Sequence, residues 1–165
     1  MPLNLLKVYN QLLEIDHLSE IDRTASLKGI FNRDIRNNTS FKFREKQINP
    51  ISVETDAMDI LFKHLTTVKI NNNSAERTFE PDRSKRLHWI KHHIEENKTE
   101  RMLIFSVEDP EGVRTYIFDE DENYVIILEP YRNESEYYLL TAYYLNTRNR
   151  KKIRNKYKRK LETLI

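Results

Sequence analysis

The chain has no cysteine and only two glycines, Gly29 and Gly112, in 165 residues. Without cysteine there is no disulfide framework and no thiolate metal site, which fits a reducing compartment. Two isolated glycines leave no room for a glycine-rich nucleotide loop. They also exclude the Gly-x-Ser-x-Gly turn of many serine hydrolases. No apolar run approaches transmembrane length, and the N-terminus lacks a signal-peptide pattern. The expectation is a cytoplasmic protein with no membrane partner. Internal repeats and low-complexity tracts are also missing. The length suits one compact domain, or one domain with an added N-terminal piece.

What is present is uneven charge. From Asn146 to Ile165 nine basic residues stand against one acid, Glu162, a net of +8. Since the whole chain carries +2, the remainder is at −6. A positive end on an acidic body is a footprint for a polyanion, although a basic tail also serves as a solvated helix face. Directly before it lies Tyr137-Tyr138-Leu139-Leu140-Thr141-Ala142-Tyr143-Tyr144-Leu145. So apolar a strand belongs near the middle of a sheet. Period-two alternation puts Thr141 and Tyr143 on one face.

Periodicity orders the rest. Leu3 to Ile15 reads as a helix with a broad apolar face, and Thr24 to Ile35 and Glu54 to Leu65 as two more. Phe41 and Phe43 alternate with Lys42 and Arg44 as a short strand, and Asn49-Pro50 signals a turn. Thr66 to Ile70 and Arg77 to Phe79 form a hairpin. Pro81 opens a helix to about Asn97 with Leu87, Ile90 and Ile94 inward. Arg101–Glu108, Val113–Asp119, Asn123–Glu129 and Glu136–Leu145 are strands with short connectors, the mark of an antiparallel meander. The tail is helical, with Ile153, Tyr157, Leu161 and Ile165 inward. The predicted class is α+β: a helical N-terminal region (1–65), then a domain (66–165) of one helix, a four-stranded antiparallel sheet and a basic C-terminal helix.

Three of the five histidines sit in Arg83-Ser84-Lys85-Arg86-Leu87-His88-Trp89-Ile90-Lys91-His92-His93-Ile94. At 100° per residue, Lys85, His88, Lys91 and His92 share one side, and Arg86 and His93 the other. His88 and His92 at i, i+4 could share a metal, but no third ligand is evident, so neither metal nor cofactor is predicted. A histidine moves protons near neutral pH, and lysine or arginine one turn away holds a phosphate. The alternative is a solvated basic face.

Arg86-Leu87-His88-Trp89-Ile90, a strand with Phe105, Arg114-Thr115-Tyr116, Tyr124-Val125-Ile126-Ile127-Leu128-Glu129 and Tyr138-Leu139-Leu140-Thr141-Ala142-Tyr143 follow in that order. Over about residues 74–161 this resembles the phage- and mobile-element-associated nuclease-like domains of the barnase–EndoU–colicin D–RelE (BECR) superfamily. The resemblance implies a metal-independent ribonuclease of toxin or phage-effector type, with tRNA among its candidate targets. It implies 2′-OH transesterification to a 2′,3′-cyclic phosphate, and an immunity or antitoxin protein as a further partner. It assigns His88 as base or acid, Lys85 and Arg86 to the phosphorane charge, Thr141 to the phosphate or the histidine, and Tyr143 to base stacking. Threonine and tyrosine stand where colicin D-like members have serine and tryptophan. Lys91, Arg114, Tyr116, Arg148, Lys151 and Lys152 are secondary phosphate-binding candidates. Two other function classes remain open: a non-catalytic RNA- or ribosome-binding module, and a protein-interaction domain of inhibitor or assembly type.

Overall fold

The computed structural model describes residues 2–50 and 56–165. A 3-10 helix (Pro2–Leu6) precedes an irregular segment and helix α1 (Glu20–Phe31), which runs on into a π-helical turn (Asn32–Arg36). Strands β1 (Lys42–Phe43) and β2 (Lys46–Pro50) lead to α2 (Ala57–Thr66) and a hairpin of β3 (Thr67–Lys69) and β4 (Arg77–Phe79). Two short helices, α3 (Pro81–Ser84) and α4 (Trp89–Ile94), precede β5 (Met102–Asp109), β6 (Gly112–Asp119), β7 (Tyr124–Pro130) and β8 (Tyr137–Tyr144). Helix α5 (Thr147–Lys158) follows, opened by Asn146, whose side chain accepts from the Asn149 amide.

The class is α+β, but the predicted four-stranded antiparallel sheet is corrected. The main sheet has six strands in the order β1-β2-β8-β7-β6-β5, and β3 and β4 form a second, two-stranded sheet. The main sheet is mixed, because β2 runs parallel to β8 with Ile48 opposite Tyr137 and Pro50 opposite Leu139. β5 to β8 pair antiparallel in chain order. The extra strands come from the N-terminal region expected to be helical. Lys46-Gln47-Ile48-Asn49-Pro50 has one aliphatic residue and no alternation, so only pairing with a distant strand makes it β. Its proline sits at the strand end, where a missing amide hydrogen costs little.

Two other expectations change. The helix expected from Leu3 to Ile15 is only the 3-10 turn, and Leu6 and Val8 stand 74% and 61% exposed. Buried Asn4 organises this segment instead. Its side chain donates to the Glu14 carbonyl and Ser26 Oγ and accepts from the Glu14 amide. The helix expected from Pro81 to Asn97 breaks at residues 85–88. There the amides of Arg86, Leu87 and Trp89 bond three residues back rather than four. Three-residue turns rotate side chains by 120°, not 100°, so the face assignment along this stretch shifts. Residues Glu54 and Thr55 of the third expected helix lie outside the described residues.

The sheet is covered on both faces. Leu27, Ile30 and Phe31 of α1, Leu61 and Leu65 of α2, and Leu87, Trp89, Ile90 and Ile94 pack on Ile117, Tyr124, Ile126, Leu128 and Leu139. This core joins residues on both sides of Leu65. On the opposite face Ile153 and Tyr157 of α5 meet Phe105, Tyr116, Phe118 and Val125. Trp89, 1% exposed, is the largest buried side chain. Truncating it to alanine costs about 3–5 kcal/mol. After α5 the chain returns along β5: the Leu161 amide donates to the Ser106 carbonyl, and the Tyr137 hydroxyl donates to the Ile165 carbonyl.

Candidate nucleic-acid interface

The sheet separates the two halves of the expected catalytic group. On β8, Thr141 pairs with Ile127 and Tyr143 with Val125, after a bulge at Ile127/Leu128. Cross-strand partners share a face. Val125 and Ile127 belong to the core beneath α5, so Thr141 and Tyr143 face α5. His88 lies in the break between α3 and α4, whose neighbours Leu87 and Trp89 pack on the other face. No single phosphate is brought between His88 and Thr141.

His88 is also enclosed. It is 5% exposed, with Nε2 3.1 Å from the Val8 carbonyl, to which it donates, and Nδ1 buried without a partner. Burial lowers its pKa to about 4, against a smaller opposing pull from the bond to Val8. At neutral pH it is uncharged and covered by the chain from Val8 to Gln11. That chain is tied down further by Trp89 Nε1 donating to the Gln11 carbonyl and by the Leu13 amide donating to the Lys85 carbonyl.

Most of the other candidates are committed. Lys85 pairs with Asp16 at 2.8 Å, and Lys91 with Glu95 at 3.0 Å. Arg114 pairs with Glu129 on the α5 face. Tyr116 is buried, stacked on Phe105, and donates to Asp109 at 2.6 Å. Arg148, Lys151 and Lys152 are exposed on α5, which is anchored by ion pairs from Arg154 to Glu120 and from Lys156 to Asp109.

A different constellation forms at the end of β8. On β8 the strand β2 reaches only Tyr137 to Leu139, so among the described residues the outer edge of β8 beyond Leu139 has no strand partner. Beside it opens a cleft of 530 Å³ between α3, β8 and the first turns of α5, lined by Arg83, Tyr143, Tyr144, Asn146 and Lys152 among others. Arg83 is held by bonds from Nη1 to the carbonyls of His64 and Thr67, which set its guanidinium 5.4 Å from the Tyr143 ring centre. Its Nε is buried without a partner. The Arg86 guanidinium lies 4.1 Å over Tyr144, itself 38% exposed. Burial pushes the Tyr143 hydroxyl up, so it stays protonated and can donate to an anion. Glu80 and Asp82 also line the cleft.

No protein-family model matches the chain, and no curated protein or solved structure shows significant similarity to it. The chemistry of the cleft therefore rests on its own residues. Guanidinium groups beside one half-buried and one exposed tyrosine ring, continuous with a lysine-rich helix face, are suited to hold phosphates and stack unpaired bases. Sequence reasoning missed Arg83 and Tyr144. Their only signals were an arginine in the helix-opening Pro-Asp-Arg-Ser and a second tyrosine in the last strand. Neither says that the two line one cleft.

Asp119 is wholly buried at the end of β6. Tyr9 donates to it, Lys98 Nζ lies 3.2 Å away, and the amides of Asp121 and Glu122 donate to it. His93 Nε2 stands 3.2 Å off but is poorly directed for a hydrogen bond. Burial raises the Asp119 pKa, but its donors and cations outweigh that and hold the carboxyl well below the usual range. Burial and Asp119 push the Tyr9 hydroxyl far up. A fixed carboxylate with a fixed protonated phenol is an anchor between the N-terminal segment and the sheet. It is not a proton-transfer pair, because neither group titrates near neutral pH.

Proposed function

We propose that this chain binds RNA, as a module whose chemistry does not run through His88, by taking unpaired nucleotides into the cleft between α3, the end of β8 and α5. The observation that carries this reading is the convergence of Arg83, Tyr143, Tyr144 and Lys152 around one cleft that continues onto the exposed cations of α5. Phosphates meet Arg83 and Lys152, bases lie on the tyrosines, and Arg148 and Lys151 extend the track. RNA suits it better than duplex DNA, because aromatic stacking needs bases out of the helix.

The test is fluorescence anisotropy with a short single-stranded RNA across a salt series. Four phosphate contacts give a slope of log K against log salt of about −3, at about −0.7 per contact on single strands. Lys152→Gln together with Arg148→Gln flattens the slope, and His88→Gln does not. A slope near zero refutes the reading.

A second reading keeps the ribonuclease. Glu80 and Asp82 line the same cleft as Arg83 and Lys152, so a carboxylate base stands beside phosphate-holding cations. Metal-independent cleavage leaving 2′,3′-cyclic phosphate ends, abolished by Asp82→Asn or Glu80→Gln and kept in His88→Gln, selects that reading. RNA held intact selects the binding module.

A further inference from the structure

The geometry points to a second ligand site, separate from the cleft: a pocket between α1, α2 and the β3–β4 hairpin that takes a small aromatic anion of the nucleoside monophosphate class. The pocket has a volume of 340 Å³, within the range of small-molecule sites, which are concave and mainly apolar with a few fixed polar groups. Leu27, Phe62 and Phe79 supply its apolar surface, and Arg23, Lys28, Lys63 and Arg77 surround them.

The cations are the second half of the argument. None of these four has a carboxylate partner within ion-pair distance among the described residues. Two carboxylates line the pocket, Glu20 and Asp59, and Asp59 is already paired with Arg36 at 3.2 Å. Arg77 is fixed in place by Nε donating to Thr67 Oγ1 at 2.8 Å and Nη2 to the Thr67 carbonyl at 2.9 Å. Its charge is therefore positioned and not cancelled. Burial lowers the pKa of Arg77, and burial followed by Arg77 and Arg83 lowers that of His64. Both shifts are relieved by an incoming anion.

The aromatic preference comes from the platform. The Arg23 guanidinium lies 3.6 Å over the Phe79 ring, a stacked pair of flat groups at the wall of the pocket. A guanidinium stacked in this way also accepts a planar ring beside it. A purine body then covers Phe62 and Phe79 while its phosphate reaches Arg77 and Lys63.

Calorimetric titration of the full chain with adenosine 5′-monophosphate, adenosine and inorganic phosphate tests this. Expected is one site per chain for the nucleotide, with adenosine and phosphate each at least about ten-fold weaker. Lys63→Gln with Arg77→Gln weakens the nucleotide about ten-fold and leaves adenosine unchanged, whereas Phe79→Leu weakens both. Lys63 is exposed, so Lys63→Gln alone remains informative if the double variant fails to fold. Lys152→Gln, in the RNA cleft, leaves nucleotide binding unchanged. Absence of binding at roughly millimolar nucleotide overturns the proposal. So does phosphate binding as tightly as the nucleotide, which removes the aromatic part. Loss of nucleotide binding in Lys152→Gln but not in Lys63→Gln moves the ligand to the cleft and also overturns it. The RNA reading stands or falls separately, on the salt slope.

Discussion

Acidification should destabilise this protein through one buried histidine, in a pH window of its own. His88 is held neutral with a pKa of about 4, against 6.5 for the free side chain. Below 6.5 the unfolded chain takes up a proton that the folded chain refuses until the pH nears 4. The stabilisation is therefore complete above 6.5 and is lost as pH falls between those values. One pH unit in that interval is worth about 1.4 kcal/mol, so by pH 4.5 the loss from His88 alone is about 2.5 kcal/mol. Asp34 favours the charged imidazole and Arg33 opposes it, and both effects are smaller than burial. The Asp119 pKa is shifted in the same direction but acts at lower pH. Its depressed carboxyl contributes stability above about 3.9, lost only as pH falls further, so the two windows do not overlap. His64 and His92 are also lowered by burial and also lose stability as pH falls below the free-histidine value, so the informative quantity is a difference between proteins. Urea unfolding at pH 7.0 and 4.5 should move the wild-type midpoint by about 1 M more than that of His88→Gln, at a slope of about 2 kcal/mol per M. Glutamine keeps a donor for the Val8 carbonyl and does not titrate. Equal midpoint shifts in the two proteins would refute the enclosed, neutral His88.

Asp119→Asn removes a buried charge from Lys98 and Tyr9 and should destabilise by about 3–5 kcal/mol, read as a lower urea midpoint at pH 7. Tyr9→Phe leaves the carboxylate without one donor and should cost about 1–3 kcal/mol in the same assay. Asn4→Ala breaks three hydrogen bonds of the N-terminal segment, and faster amide exchange at Glu14 is the expected readout. Tyr144→Ala should weaken RNA binding by about 1–3 kcal/mol at every salt concentration without changing the salt slope, because stacking releases no counterions.

The strands β5 to β8 and helix α5 were legible from the sequence. Their alternation and the nine cations of the tail are local, and local signals survive in one dimension. Tyr124-Val125-Ile126-Ile127-Leu128 is apolar on both faces, as suits a strand covered on both sides. Strand β2 was not legible, because Lys46 to Pro50 is β only through pairing with β8, nearly ninety residues away. The short strand expected at Phe41 and Phe43 is present as β1, but its place beside β2 depends on the same long-range pairing.

For the site, the residue types were visible and their meetings were not. Period two correctly put Thr141 on the same side as Tyr143. It could not say that His88 lies across the sheet, because the face a helix covers is set by connection path and packing rather than by its own composition. The tightened turns at residues 85–88 then rotated the histidines away from the 100° wheel. By itself the sequence determined a basic, tyrosine-rich end on an acidic α+β body. Only the tertiary structure decided that Arg83 meets Tyr143, that Asp119 is anchored by Tyr9, and that His88 is buried. Each of these depends on residues 60 to 110 positions apart being brought together, which burial of apolar surface enforces and sequence spacing does not encode.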